Sequence, residues 1–429
     1  MQSLDVRSRS ESRATDQPTF VDVFAGCGGL SLGLKRAGWR GRLAIEKDQF
    51  AFDTLAANFL AEGSKYPFDW CPDIEKRPWE LHELIDTHHA ALTSLAGTID
   101  LLAGGPPCQG FSHAGRRRPD DPRNRLFEKY LELVAILKPR LVLIENVRGF
   151  TADFAKPNER GIKNFAAELR ARLMIEYDTT DKVIRASDFG VPQSRPRFFL
   201  VGVRRGEGQH GILEDFFARL TANTRVFLAA RGLPNTSSAR DAISDLEVHK
   251  NGKISCADSP GFEAIAYSAP RTPFQKAMQD GHAGPLSDTR LARHRPDISL
   301  RFAAIIKACG EDGRLNMAIS AELRQIYGLK KVALRVLDPL TPAPTITSLP
   351  DDLIHYSEPR TLTVRENARL QTFPDWFSFC GKYTTGGDLR RAEIPRFTQV
   401  ANAVPPLLAE QIGATLLQMT RDRSNWRFV

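Results

Sequence analysis

From Phe20 to Val203 the chain alternates short apolar runs with amphipathic stretches, and no other feature restricts its fold as much. The apolar runs are Phe20–Phe24, Leu43–Glu46, Ile99–Ala103, Leu141–Ile144, Val183–Ala186 and Arg197–Val203. Between them lie the amphipathic stretches Leu30–Ala37, Gln49–Leu60, Leu126–Leu137 and Phe165–Leu173. Continuous apolar runs are the mark of strands buried on both faces, which requires covering helices on both sides of the sheet. The pattern predicts a doubly wound α/β sheet over residues 18–205.

After Arg205 the rhythm stops. Residues 206–360 mix Pro, Gly, Ser and charged residues with short apolar pieces, and a second, smaller domain is expected over 206–395. Helical spacing returns at Leu407–Met419, which predicts a helix within 396–421 that completes the first domain. Residues 1–17 are almost without apolar side chains and read as a disordered tail. A length of 429 residues suits this division.

Three strand ends carry candidate chemistry. The first strand runs into Phe24-Ala25-Gly26-Cys27-Gly28-Gly29-Leu30, where glycines let a ligand approach the backbone at a helix amino terminus. The spacing is not that of a dinucleotide fingerprint, and no P-loop lysine follows. The second strand ends in Glu46, an acid placed to accept hydrogen bonds from ribose hydroxyls. The run Ile99–Ala103 leads into Gly104-Gly105-Pro106-Pro107-Cys108-Gln109-Gly110-Phe111-Ser112. Two prolines stiffen the backbone ahead of Cys108, so its thiol is presented from a fixed turn. From residue chemistry alone, Cys108 fits either a nucleophile or a small buried apolar side chain.

Charge is uneven. Residues 104–205 hold 20 Lys or Arg against 12 Asp or Glu, which matches the whole-chain excess of +8. Arg116-Arg117-Arg118, Arg123 and Arg125 follow Cys108 directly, and such a window reads as a phosphate-contacting rim or as a solvated surface. Residues 206–360 carry 19 basic and 18 acidic residues, which excludes a purely electrostatic DNA-binding domain there. The six cysteines form no CxxC pair, and reduced thiols with no metal site are expected. His88 and His89 read as solvated positions on one helix. No run approaches membrane-spanning length and no secretory signal is visible, so a cytoplasmic protein is expected.

The stretch GGPPCQGFS resembles the signature loop of the DNA cytosine carbon-5 methyltransferases. Further stretches resemble that family's motifs in the same order. These are Phe24–Leu30 with Glu46, then Glu145-Asn146-Val147, and Gln193-Ser194-Arg195-Pro196-Arg197. The last two are Arg365–Pro374 (RENARLQTFP) and Gln399–Pro406 (QVANAVPP). Asp73-Ile74 resembles a further family position, although Pro72 stands where the family commonly has glycine.

The resemblance implies a Rossmann-like, S-adenosylmethionine-dependent sheet with a target-recognition domain. It implies catalytic roles for Cys108, as the nucleophile that attacks the base, for Glu145, as an acid toward ring nitrogen 3, and for Arg195, in contact with the flipped base. S-adenosylmethionine is then held by Phe24, Gly26, Gly28, Gly29, Leu30 and Glu46. Asp73, Ile74, Pro106, Asn402 and Val404 complete that pocket by the same resemblance. DNA contacts fall to Gln109, Ser112, Arg116, Arg123, Gln193 and Arg197, with Arg197 having a structural part, while Arg365–Pro374 organises the recognition region.

The implied partners are duplex DNA with a flipped cytosine and a cognate restriction endonuclease, with the enzyme acting as a monomer. Two rival readings keep the same fold: a transfer-RNA methyltransferase and a homologue that binds DNA without modifying it. The region of about 160 residues between Arg205 and Arg365 favours a reader of duplex sequence. Intact Cys108, Glu145 and Arg195 favour an enzyme, and the glycine spacing disfavours a dehydrogenase.

Overall fold

The computed structural model describes residues 17–106, 124–152, 154–155, 162–206, 213–386, 389 and 392–421. The expected tail therefore lies almost wholly outside the described residues, as does the loop bearing Cys108, Gln109, Ser112, Arg116 and Arg123. The chain divides into two compact units. Unit 1 comprises residues 1–184, 196–223 and 409–429, and unit 2 comprises 185–195 and 224–408.

The sheet of unit 1 has six strands: β1 (Thr19–Val23), β2 (Arg40–Ile45), β3 (Leu101–Gly104), β4 (Leu141–Val147), β5 (Tyr177–Arg185) and β6 (Pro196–Arg204). Their order is β2-β1-β3-β4-β6-β5. β1 runs parallel to β2 and β3, and β3 runs parallel to β4. β6 reverses direction and pairs antiparallel with β4. The amino end of β6 therefore meets the carboxyl ends of the parallel strands, the edge where ligands bind in open α/β sheets.

Amphipathic stretches become the connections. Helix α1 (Gly29–Arg36) follows β1, α2 (Gln49–Phe59) follows β2, and α3 (Leu81–Thr87) and α4 (His89–Ser94) precede β3. Helix α5 (Asn124–Leu137) precedes β4 and α6 (Phe165–Leu173) precedes β5. Asp48 caps α2 by accepting from the Ala51 amide at 2.9 Å, which satisfies an otherwise orphan donor. Every residue of β1 and β3 is buried. Each large aliphatic side chain sealed between sheet and helices contributes about 1.5–3 kcal/mol. The carboxyl-terminal helix Pro406–Arg421 joins unit 1 from Ala409 onward. A Cβ on Gly33 would lie 2.3 Å from the Ala409 Cβ, so α1 reaches this helix only with glycine there. Trp39 Nε1 donates to the Gly413 carbonyl at 3.0 Å and Arg36 pairs with Glu410 at 3.0 Å, which ties the same helix at two further points.

Unit 2 has helices α7 (Ala239–Ile243), α8 (Pro273–Gln279), α9 (Pro296–Glu311), α10 (Ala321–Ile326), α11 (Val364–Leu370) and α12 (Arg396–Asn402). A hairpin of β7 (Lys253–Ser255) and β8 (Glu263–Ile265) lies among them. Helices α7, α8 and α11 each begin with a reciprocal capping box. One apolar cluster joins Phe302, Ile305 and Cys309 of α9 to Ile319, Leu323, Leu334, Val336 and Ile354. A second, ionic core surrounds α11. Arg365 Nη2 is 3.3 Å from Asp288 Oδ2, and Arg369 pairs with Asp245 at 3.2 Å and Asp375 at 2.5 Å, all with side chains fully buried.

Two expectations change. His88 is not a solvated helix position: it separates α3 from α4, pairs with Glu75 at 2.8 Å and packs edge-on against Trp79 at 4.9 Å. The loss of rhythm after Arg205 conceals long helices, Phe216–Ala229 and α9. Among the described residues no helix is long and apolar enough to cross a membrane.

Candidate catalytic and cofactor site

The loop between β1 and α1 is held open by its glycines. Gly26 has φ +55 and Gly28 has φ +91, conformations that side chains with a Cβ rarely adopt. Phe24 is also left-handed, at φ +59. A Cβ on Gly28 would collide with the Phe59 ring at 2.5 Å, whereas one on Gly26 would meet nothing within 4 Å. Open space thus lies over Gly26, at the carboxyl end of β1 and ahead of the first turn of α1. Gly29 and Leu30 form that turn and are buried.

Glu46, just past the end of β2, is the acid of this loop pair. Its Oε2 accepts from the Gly26 amide at 2.9 Å, and Oε1 accepts from Lys47 and Asp48 amides at 2.9 and 2.8 Å. Burial raises its pKa above the ordinary carboxylate range, against the opposing pull of these amides. Oε2 accepts only one of these bonds and keeps lone-pair capacity for a ligand hydroxyl. Below it, Asp22 is fully buried and accepts from Ser31 Oγ at 2.6 Å, with a pKa raised by burial to about 7. Burial likewise drives the Cys27 thiol well above its usual range, so Cys27 is an inert part of the loop. Ile74 is buried and its carbonyl accepts from Trp70 Nε1 at 2.7 Å, while Asp73 is exposed.

The turn after β3 passes directly over Glu145. A Cβ on Gly105 would come within 3.1 Å of Glu145 Oε2 and 3.2 Å of the Glu145 carbonyl oxygen, tighter than ordinary contact, so glycine eases the close approach of the two segments. Asn146 Nδ2 donates to the Pro106 carbonyl at 2.9 Å and pins the turn two residues before Cys108. Arg197 Nε lies 3.0 Å from Glu145 Oε1, with both side chains about one-tenth exposed. One sheet edge of unit 1 therefore gathers Gly26, Glu46, Gly105, Pro106, Glu145 and Arg197. Cys108 itself falls outside the described residues.

The remaining candidates belong to unit 2. Arg195 is buried and its Nη2 donates to the Ala401 carbonyl at 2.6 Å. Gln371 Nε2 donates to the Ala403 carbonyl. The two side chains bracket Asn402, which is exposed, while Val404 is buried. Gln193 is fully buried; its amide engages Gln371, and its Oε1 accepts from the Ile346 amide at 3.1 Å. Sequence reading missed Asn146 and Gln371 as positioning groups. Asn146 was visible as the neighbour of Glu145, whereas nothing in the sequence relates Gln371 to Gln193 or to the segment around Asn402.

Comparison with known proteins gives a consistent result. The model of the C-5 cytosine-specific DNA methylase family matches residues 18–418. The chain is 31% identical over 421 residues to the type II methyltransferase M.DdeI of Desulfomicrobium norvegicum, covering 95% of this chain and 88% of that protein. It is 30% identical to the type II methyltransferase M.XorII of Xanthomonas oryzae pv. oryzae, covering 95% and 86%. Among solved structures, a candidate DNA modification methyltransferase from an Escherichia coli prophage superposes with a TM-score of 0.63 at 25% identity. That alignment covers 94% of this chain and all of the other.

Proposed function

Because the chain belongs to the C-5 cytosine-specific DNA methylase family and is a DNA cytosine-5 methyltransferase, we propose that it methylates a cytosine flipped out of a specific duplex sequence. The methyl donor in this reading is S-adenosylmethionine, and the enzyme is the modification half of a restriction-modification system with a cognate endonuclease. It acts as a monomer in the cytoplasm.

The open space over Gly26 beside the Glu46 carboxylate fits a nucleoside-bearing cofactor. Gly26 and Gly28 give it backbone access, Glu46 accepts from its ribose, and Ile74 offers an apolar wall. Phe24, Gly29, Leu30, Asp73 and Pro106 belong to the same proposed pocket. When bound, S-adenosylmethionine supplies an electrophilic methyl group.

Carbon 5 of cytosine is a poor nucleophile, and covalent attack divides the difficult step. The Cys108 thiolate forms a bond to carbon 6, and the electron pair of the 5,6 double bond becomes available at carbon 5. Carbon 5 takes the methyl group, the donor sulfur keeping the bonding pair as a neutral thioether; solvent then takes the carbon-5 proton, the 5,6 double bond reforms, and the thiolate leaves carbon 6. Glu145 hydrogen-bonds ring nitrogen 3 and stabilises the charge that accumulates there. Arg197 holds that carboxyl group in position, and Arg195 contacts the flipped base. Gln109, Ser112, Arg116 and Arg123 serve the DNA side, whereas Gln193, fully buried and bonded to Gln371 and the Ile346 amide, has a positioning part within unit 2 instead. Flipping itself costs a few kcal/mol, about what phosphate contacts along the basic window can offset.

The observation that carries this reading is the Arg197–Glu145 pair beneath the Gly105 turn, three residues ahead of Cys108. Incubation with methyl-labelled S-adenosylmethionine and mixed-sequence duplex DNA tests it, with Cys108→Ser alongside. Label in cytosine carbon 5 from the wild type and none from the variant is expected. Label in RNA alone, or none despite cofactor binding, overturns the reading.

A further inference from the structure

Unit 2 holds a stack of arginines and aromatic rings that the reaction above does not use. The segment around Arg290 extends the β7–β8 hairpin, with the Leu291 amide donating to the Glu263 carbonyl at 2.8 Å. Arg293 Cζ lies 4.2 Å from the centre of the Phe262 ring, and Arg290 Cζ lies 4.3 Å from the same ring. Arg290 Cζ is also 3.7 Å from the Tyr383 ring, which receives Arg396 at 4.2 Å. These contacts form a continuous ladder: Arg293, Phe262, Arg290, Tyr383, Arg396.

The ladder is neutralised at one end only. Arg396 Nη1 pairs with Asp258 Oδ2 at 2.5 Å and Asp288 Oδ1 at 3.0 Å, and the Tyr383 hydroxyl donates to Asp258 at 3.0 Å. Among the described residues, neither Arg290 nor Arg293 has a carboxylate within ion-pair distance. Arg290 is half-buried, a placement that a purely structural arginine normally offsets with a carboxylate. The surrounding stretch 290–335 carries ten Lys or Arg against four Asp or Glu, so the balance of residues 206–360 hides a local excess.

Arg293 is exposed yet fixed. Its Nη2 donates to the Gly261 carbonyl while its guanidinium rests on Phe262. Gly261 has φ +80, a left-handed conformation that favours glycine, and a Cβ there would come within 2.8 Å of that nitrogen and displace it. Fixing an exposed arginine forfeits rotamer entropy, and among the described residues no carboxylate takes up the orientation so obtained. A planar fork of donors held in one direction suits bidentate pairing with a base edge, whereas a phosphate accepts a cation from many directions.

We infer that Arg293, positioned by Phe262 and Gly261, reads a guanine edge in the recognised sequence and is a specificity-determining residue of this enzyme. The inference rests on the DNA-methylation reading above. To test it, the wild type, R293A, R293K and F262L each methylate a library of randomised duplexes, and methylated cytosines are mapped by sequencing. The wild type defines one motif. R293A and R293K lose roughly 10- to 100-fold of the preference for guanine at one position, with the others unchanged. F262L, which keeps the arginine and removes the ring, relaxes the same position. Equal loss over all sequences with a smaller salt slope makes Arg293 a phosphate contact and overturns the inference, as does an R293A motif identical to wild type. A wild type that methylates no duplex overturns the methylation reading and this inference with it, so the two failures are distinguishable.

Discussion

Arg197 Nε sits 3.0 Å from Glu145 Oε1, a diagonal pair on antiparallel strands in which Glu145 is in register with Phe199 and Val147 with Arg197. The reversal of β6 makes this contact, since a parallel strand would bring its other end to this edge. Arg197→Ala therefore leaves a mostly buried carboxyl group without its guanidinium. Methyl transfer falls roughly 100-fold while cofactor affinity is unchanged, as measured by single-turnover kinetics and equilibrium binding.

Gly26→Ala probes the space over the first loop. Among the described residues nothing resists the added methyl, so the fold loses only about 1–2 kcal/mol for alanine at φ +55. Binding of S-adenosylmethionine weakens roughly tenfold or more, because the methyl occupies ligand space. Unchanged affinity in a calorimetric titration contradicts the placement of the cofactor.

Asp22 sets a pH dependence of stability. Its folded pKa of about 7 lies above the ordinary value of 3.8, because burial disfavours the charged form. The folded state thus binds more protons between those values, and the contribution of Asp22 is fully present below pH 3.8 and lost as pH rises to about 7. Asp22→Asn removes that loss. The gap between variant and wild type in denaturant melts widens with pH, by up to about 4 kcal/mol, and is flat above pH 7. A gap that stays constant from pH 4 to 8 refutes the burial argument.

Arg369→Leu tests the ionic core of unit 2. Asp245 and Asp375, both buried, lose their common partner, and an uncompensated buried charge is costly. A loss of about 3–5 kcal/mol is expected in equilibrium unfolding. Simultaneous replacement of Asp245 and Asp375 by Asn restores part of it.

The parts of this molecule legible in its sequence are those whose signal is local. Helix Phe165–Leu173 was read to the residue, and five of the six sheet strands were read to within a few residues, because period and burial coincide there. β5 is longer than Val183–Ala186 because Asp178–Lys182 is polar and partly exposed, so only one end of the strand looks apolar. Helix α9 escaped notice although Pro296 opens it. Its buried face is only Phe302, Ile305 and Cys309, and the exposed Leu300 blurs the period.

The site divides in the same way. Glu46 and Glu145 are strand-end acids and could be found by position. Asn146 holding Pro106, and Gln371 reaching Ala403, are contacts over distances that no local pattern encodes. The overall charge balance of residues 206–360 likewise averaged away the cations around Arg293.

The path of the backbone through the two units bears on any attempt to exchange sequence specificity between relatives. The chain passes between the units at 184/185, 195/196, 223/224 and 408/409. A graft that transplants only residues 224–408 leaves Arg185–Arg195 from the host, with Gln193 seeking a glutamine at 371 and a free amide at 346. Grafts that preserve those two complements should fold, and those that break them should fail whatever bases the donor reads. Modularity in this enzyme is set by one short excursion of eleven residues, which must travel with the segment it serves.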